Sequence, residues 1–226
     1  MITIIHGDDV GASRTFLATL KGQAVSPVEL MGESIDITEL TQVLDGGGLF
    51  GDEKFIIIER LLTSKKVTEI KPVIELLIKY SEENTIVIWE NKELTKATLQ
   101  KLPKASVKLY KLPQTLFQLI DNLRPDNTRQ LVNLYHSTRT GVEDELILYM
   151  LARQVRLLLA VKTGADISEM KSVSWQMSKL EKQSRLFSTD ELSHLHDEIY
   201  EIERKMKTGD SVHTTGVLID FLLFKI

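Results

Sequence analysis

The sequence predicts an α/β unit over residues 1–112, built on a mostly parallel sheet, followed by an all-helical bundle over residues 113–226. Three observations carry this expectation. Short β-branched runs alternate with helix-patterned segments as far as Leu112. No convincing strand follows Pro113. Turn residues then cut the second half into six helical segments joined by short loops.

In the first half, Ile2–His6 is a short apolar run ending at Gly7, which suits a buried strand. Ser13–Leu20 has a helical pattern, with Phe16, Leu17 and Leu20 on one face. Val28–Met31 is a second, weaker strand. Asp36 is placed to cap a helix through Leu44, with Glu39 three residues later as in a capping box. Gly46, Gly47 and Gly48 end that helix. Phe55–Ile58 reads as a strand and Val67–Tyr80 as a helix in which Pro72 marks a kink or a late start. Thr85–Trp89 is the strongest strand signal, Leu94–Leu102 a short helix, and Val107–Leu112 the closing strand. In the second half the helical segments are Leu116–Leu123, Thr128–Ser137, Val142–Lys162, Ser174–Leu186, Thr189–Lys207 and Thr214–Phe224. Pro125, Gly141, Gly164 and Gly209 punctuate them.

A chain of 226 residues can bury two small cores. The net charge is −4, and each half carries 14 basic against 16 acidic residues, so neither half is a basic nucleic-acid module. Cysteine is absent, which excludes disulfides, thiolate metal sites and thiol nucleophiles and suits a reducing compartment. The N-terminus lacks the basic flank and apolar run of a signal peptide. No apolar stretch approaches the roughly 20 residues of a membrane span, and the apolar C-terminal stretch is interrupted by Asp220. A cytoplasmic protein with no membrane contact is expected.

The first strand runs into His6-Gly7-Asp8-Asp9-Val10-Gly11-Ala12-Ser13, the place of a phosphate-binding loop. The glycines stand one residue too close, Ala12 replaces the lysine, and Asp8 and Asp9 would repel phosphate. A tight structural turn is the favoured reading; a metal site on His6, Asp8 and Asp9 has no second ligand cluster to support it. Thr85–Glu90 has the form of a strand ending in the acid that handles Mg²⁺ beside a bound nucleotide, but lacks a phosphate loop to serve. No serine lies in a nucleophile elbow, His194 and His196 do not share a helix face, and the five histidines look incidental. No cofactor and no metal are therefore expected. Two protein-binding candidates stand out. Leu49 and Phe50 are adjacent large apolar residues in a glycine-rich corner, readable as a loop plug or as an exposed anchor for a partner's pocket. Arg153 and Arg156 lie three apart on the long helix ahead of Leu157 and Leu158, readable as a solvated stripe of snorkelling arginines or as an interface or phosphate contact.

Taken in order, these segments resemble the delta subunit of the bacterial DNA polymerase III clamp loader. The Lys-less loop at Ile2–Ser13, the Gly48-Leu49-Phe50 step before the strand at Phe55–Ile58, and the strand and helix within Ile86–Leu102 are similar to its first domain. Phe117-Gln118-Leu119-Ile120-Asp121-Asn122-Leu123, Arg153–Leu158 and Lys207-Thr208-Gly209 are similar to motifs of its last domain. The resemblance implies a degenerate AAA+-like fold followed by a helical collar, in a short form without the lid domain, since Leu112-Pro113 joins the two parts directly. It implies a subunit that binds the sliding clamp and helps to open it, with Leu49 and Phe50 as the clamp-binding wedge. The collar would join other clamp-loader subunits through faces such as Leu157, Leu158, Leu222 and Leu223. Such a subunit does not hydrolyse ATP, reaches DNA at most indirectly, and is counted with the DNA-directed DNA polymerase only through its holoenzyme. A protein-interaction scaffold of AAA+ ancestry and an atypical nucleotide hydrolase using the Gly7–Ser13 loop and Glu90 stay open as alternatives.

Overall fold

A computed structural model describes residues 1–45, 53–64, 66–165 and 174–226. Two compact units divide the chain, Met1–Leu112 and Pro113–Ile226.

Unit one alternates strand and helix. Its elements are β1 (Ile2–Gly7), α1 (Val10–Gln23), β2 (Val28–Met31), α2 (Ile37–Asp45), β3 (Phe55–Glu59), α3 (Leu61–Ser64), α4 (Val67–Lys79), β4 (Thr85–Trp89), α5 (Lys96–Leu99) and β5 (Ser106–Tyr110). The strands form one five-stranded sheet in the order β2-β3-β4-β1-β5, with every pairing parallel. Strand alternation splits the apolar residues between two faces. Ile4, Ile56, Ile58, Ile86 and Ile88 meet Leu40, Leu44, Val73 and Leu77 of α2 and α4 on one side. Ile5, Ile57, Val87 and Trp89 meet Leu17 of α1 on the other. Burial on both faces is what a parallel sheet requires and what the near-continuous apolar runs encode.

The boundaries depart from the sequence reading for identifiable reasons. Helix α1 begins three residues early because the Asp9 carboxylate caps it, accepting from Ala12 N–H at 2.9 Å. Asp36 likewise accepts from Glu39 N–H at 2.7 Å, but the reciprocal half of the expected capping box does not form among the described residues. Pro72 lies inside α4, which begins at Val67, so the late start is not used. The expected helix over Leu94–Leu102 shrinks to one turn, capped by Thr95 and followed by three-residue turns that end at Ala105. Only Lys111, Leu112 and Pro113 separate β5 from the next helix.

Unit two contains α6 (Gln114–Asp121), α7 (Thr128–Thr138), α8 (Asp144–Thr163), α9 (Ser174–Ser184), α10 (Thr189–Thr208) and α11 (Thr215–Phe224). Helix α8 is central, touching α6, α9, α10 and α11. It ends at Gly164 and α10 at Gly209, both in the left-handed conformation that favours glycine. A complete capping box starts α10, with Ser188 and Glu191 exchanging side-chain and backbone bonds. One polar network crosses the core: Gln154 donates to Gln183, whose amide in turn donates to the carbonyls of Ile120 and Leu123 at the end of α6. The Gln183 amide thus supplies donors to backbone carbonyls at and just beyond the end of α6.

Candidate protein-binding surfaces

The loop between β1 and α1 is consumed by its own structure. Gly7 has φ 139°, and a Cβ there would lie 1.7 Å from the Tyr110 carbonyl oxygen, so glycine is required by the approach of β5. Asp8 Oδ1 accepts from Leu112 N–H at 2.9 Å, and Asp9 caps α1 as above. Ser13 Oγ donates to the Val10 carbonyl at 3.0 Å and accepts from Trp89 Nε1 at 3.2 Å. Arg14 lies 3.6 Å over the Trp89 ring and is held bidentate by Glu59 at 2.5 and 2.7 Å. An anion entering here would face two carboxylates and a helix end already capped.

Glu90, at the end of β4, is fully buried. One carboxylate oxygen accepts from Leu62 N–H and the other from the Thr63 hydroxyl, so Glu90 anchors the single turn of α3. Burial raises its carboxyl above the usual range, against the opposing pull of these hydrogen bonds. Helix α3 was not legible in the sequence because its stability comes from this distant acid. His6 corrects the expectation that all five histidines are incidental. It is buried at the end of β1, Nδ1 accepts from Leu94 N–H at 3.0 Å, and Nε2 has no partner among the described residues. Burial lowers its pKa, so the neutral imidazole is favoured. Among the described residues no group of three His, Asp or Glu is placed to hold a metal ion.

Leu49 and Phe50 lie outside the described residues. Their flanks are described, at the edge of the sheet where the strands begin. Asp45, the last residue of α2, accepts from the Tyr80 hydroxyl, and the Val43 carbonyl accepts from Lys54 Nζ. On the β3 side, Lys54 N–H donates to Asn84 Oδ1 at 3.4 Å and the Thr85 hydroxyl donates to Glu53.

In the helical unit the apolar interface expected at Leu157, Leu158, Leu222 and Leu223 is overturned. All four are 2% exposed or less and form the unit's own core, because α8 and α11 turn these faces inward. Arg153 and Arg156 are half-buried and make no ion pair or hydrogen bond among the described residues. Exposed apolar residues are scattered over the unit at Phe117, Tyr149, Leu186, Tyr200 and Val212, and three share α11: Val217 at 37%, Phe221 at 50% and Phe224 at 64%. Their spacing of four and then three residues makes one stripe, and the His213 ring meets Phe221 edge-on at 5.7 Å. The signal was available, since Thr215–Phe224 is apolar almost all round, with Asp220 the one charged residue, and only one side can face a core. The start of α11 is fixed by Tyr135, whose single hydroxyl proton is shared between Asp144 at 2.7 Å and the more distant Gly216 carbonyl at 3.2 Å. Arg139 pairs with the other Asp144 oxygen at 2.9 Å.

Residues 113–226, the whole helical unit, match the family model for the DNA polymerase III delta subunit, C-terminal domain. Among solved structures, the chain is similar to the Bacillus subtilis DNA clamp loader delta protein (YqeN), with a TM-score of 0.50, 13% sequence identity, and 99% of this chain and 94% of that chain covered. At that identity the likeness concerns the fold. No curated protein matches the chain in sequence.

Proposed function

The chain belongs to the DNA polymerase III delta-subunit family, a replication clamp-loader family, and from that premise we propose that it is a non-catalytic subunit that binds the sliding clamp and helps to open it. The match of the complete helical unit to the family carries the proposal. Two features of the first unit support it. Strand β4, with its terminal acid, pairs in parallel with the loop-bearing β1, which agrees with the degenerate AAA+-like domain of this reading. The loop after β1 carries no lysine, its Asp8 and Asp9 carboxylates would repel phosphate and are held by Leu112 and Ala12 N–H, and Glu90 is committed to α3. ATP turnover would then fall to sister subunits.

Leu49 and Phe50 are the wedge in this reading. Burying each in a clamp pocket is worth about 1.5–3 kcal/mol. If the pocket is formed only on the open ring, two such side chains shift the closed–open balance by roughly 100-fold or more. The energy comes from binding alone, which suits a subunit without chemistry. The helical unit supplies the collar, docking on sister subunits through Val217, Phe221 and Phe224 of α11, with Arg153 and Arg156 of α8 as separate polar contacts. DNA is met through the assembly. No helix of the described residues is long and apolar enough to cross a membrane, and the reading places the protein in the cytoplasm.

Reconstitution with the clamp and sister subunits from the same organism tests this. A fluorophore pair across the clamp's ring interface should separate when the chain is added without ATP. A ring that stays closed with the chain bound would leave binding and remove opening.

A further inference from the structure

We propose that the furrow beside α4 is a docking site for an acidic amphipathic helix of another protein. Ile78, in the last turn of α4, is 43% exposed although the rest of that helix's isoleucines are buried. Two hollows meet at it. One, of about 370 Å³, is floored by Ile70 and Ile74. The other, of about 520 Å³, is floored by Ile2 and Leu102 at the edge where the strands begin. The run from Ile70 to Ile78 is about 12 Å along the helix axis, room for roughly two turns of a second helix. Two apolar side chains of such a segment, one on each side of the Ile78 ridge, would fill the hollows in the helix-in-groove mode.

The rim decides the charge of the occupant. Lys71, Lys79, Lys101 and Lys104 border the hollows, against Glu75 and Glu82. None of the four lysines is in an ion pair among the described residues; the ion-paired lysines are Lys21, Lys111, Lys179 and Lys225. In a chain of net charge −4 this rim is locally positive, and it complements a segment carrying Asp and Glu beside its apolar stripe. The apolar floor distinguishes that occupant from nucleic acid, which would need phosphate contacts and no burial of Ile78.

The probe is a fluorescein-labelled helical peptide with leucines at i, i+4 and i+7 and glutamates elsewhere, with its glutamine counterpart and a single-stranded oligonucleotide as controls. Anisotropy of the full chain should show saturable binding of the glutamate peptide, about tenfold tighter than the glutamine peptide at low salt and converging with it at high salt. Ile78→Asp, an exposed position, should weaken binding by at least about tenfold with an unchanged melting profile, and K101E/K104E should weaken it at low salt only. Absence of binding, equal binding of the two peptides, or indifference to Ile78→Asp would overturn the proposal. So would an oligonucleotide that binds more tightly than the peptide and ignores Ile78→Asp.

Discussion

Replacing Glu90 separates a structural acid from a catalytic one. Glu90→Ala removes two hydrogen bonds accepted by a buried carboxylate, from Leu62 N–H and the Thr63 hydroxyl. Each such bond to a charged group is worth about 1.5–3 kcal/mol. The cost of burying the carboxylate, visible in its raised pKa, offsets part of that sum. A net loss of about 2–4 kcal/mol is expected, lowering the unfolding midpoint of the first unit by roughly 10–20 °C. Glu90→Gln keeps an acceptor for Leu62 N–H, turns its amide towards Thr63 and removes the buried charge, so it should stay within about 1 kcal/mol of the parent. The sign with pH follows from the raised pKa. The folded state holds the proton more tightly, so stability associated with Glu90 is full below the ordinary value of 4.5 and declines as pH rises through the folded pKa. Glu90→Gln abolishes that decline. The assay is urea unfolding followed by Trp89 fluorescence, with Trp175 replaced by Phe to isolate the first unit. Glutamine as damaging as alanine would refute the reasoning, because it would mean that the negative charge itself is needed, as for holding a cation.

Other substitutions probe the remaining features. Gly7→Ala should destabilise by about 3 kcal/mol or more, because its Cβ meets backbone at 1.7 Å and φ is positive; Gly216→Ala should cost only about 1–2 kcal/mol, since its contacts at 2.5 and 2.6 Å are side-chain tips of Arg139 and Asp144 that can yield. Thermal melts compare the two. His6 has a lowered folded pKa, so the unfolded chain takes up the proton first and stability falls as pH drops below about 6.5; His6→Asn should flatten that part of a pH–stability profile. Phe221→Asp/Phe224→Asp should leave the melting of the isolated chain unchanged and abolish co-sedimentation with sister subunits, whereas intact co-sedimentation would move the collar contact off α11.

The parallel sheet was readable because Ile2–His6, Phe55–Ile58 and Thr85–Trp89 are buried on both faces, and such strands write themselves as unbroken apolar runs. The long helices of the second unit were readable from their period and their glycine stops at 164 and 209. What escaped depends on distant partners. The turn of α3 exists because Glu90 reaches it across 28 residues. The role of His6 depends on Leu94 N–H arriving 88 residues later. Leu157, Leu158, Leu222 and Leu223 are buried rather than exposed for a related reason: an apolar face on α8, or the largely apolar α11, does not by itself say whether a neighbouring helix of the same unit covers it. Leu49 and Phe50 stood out by composition alone, as large apolar residues among glycines.

The central claim rests on those two side chains, and titrating the chain against a sliding clamp by calorimetry tests it most directly. Wild type should bind, and Leu49→Ala/Phe50→Ala should lose about 100-fold or more in affinity, while Phe221→Asp/Phe224→Asp binds as the parent does. Equal clamp affinity in the wild type and the Leu49→Ala/Phe50→Ala variant would contradict the account.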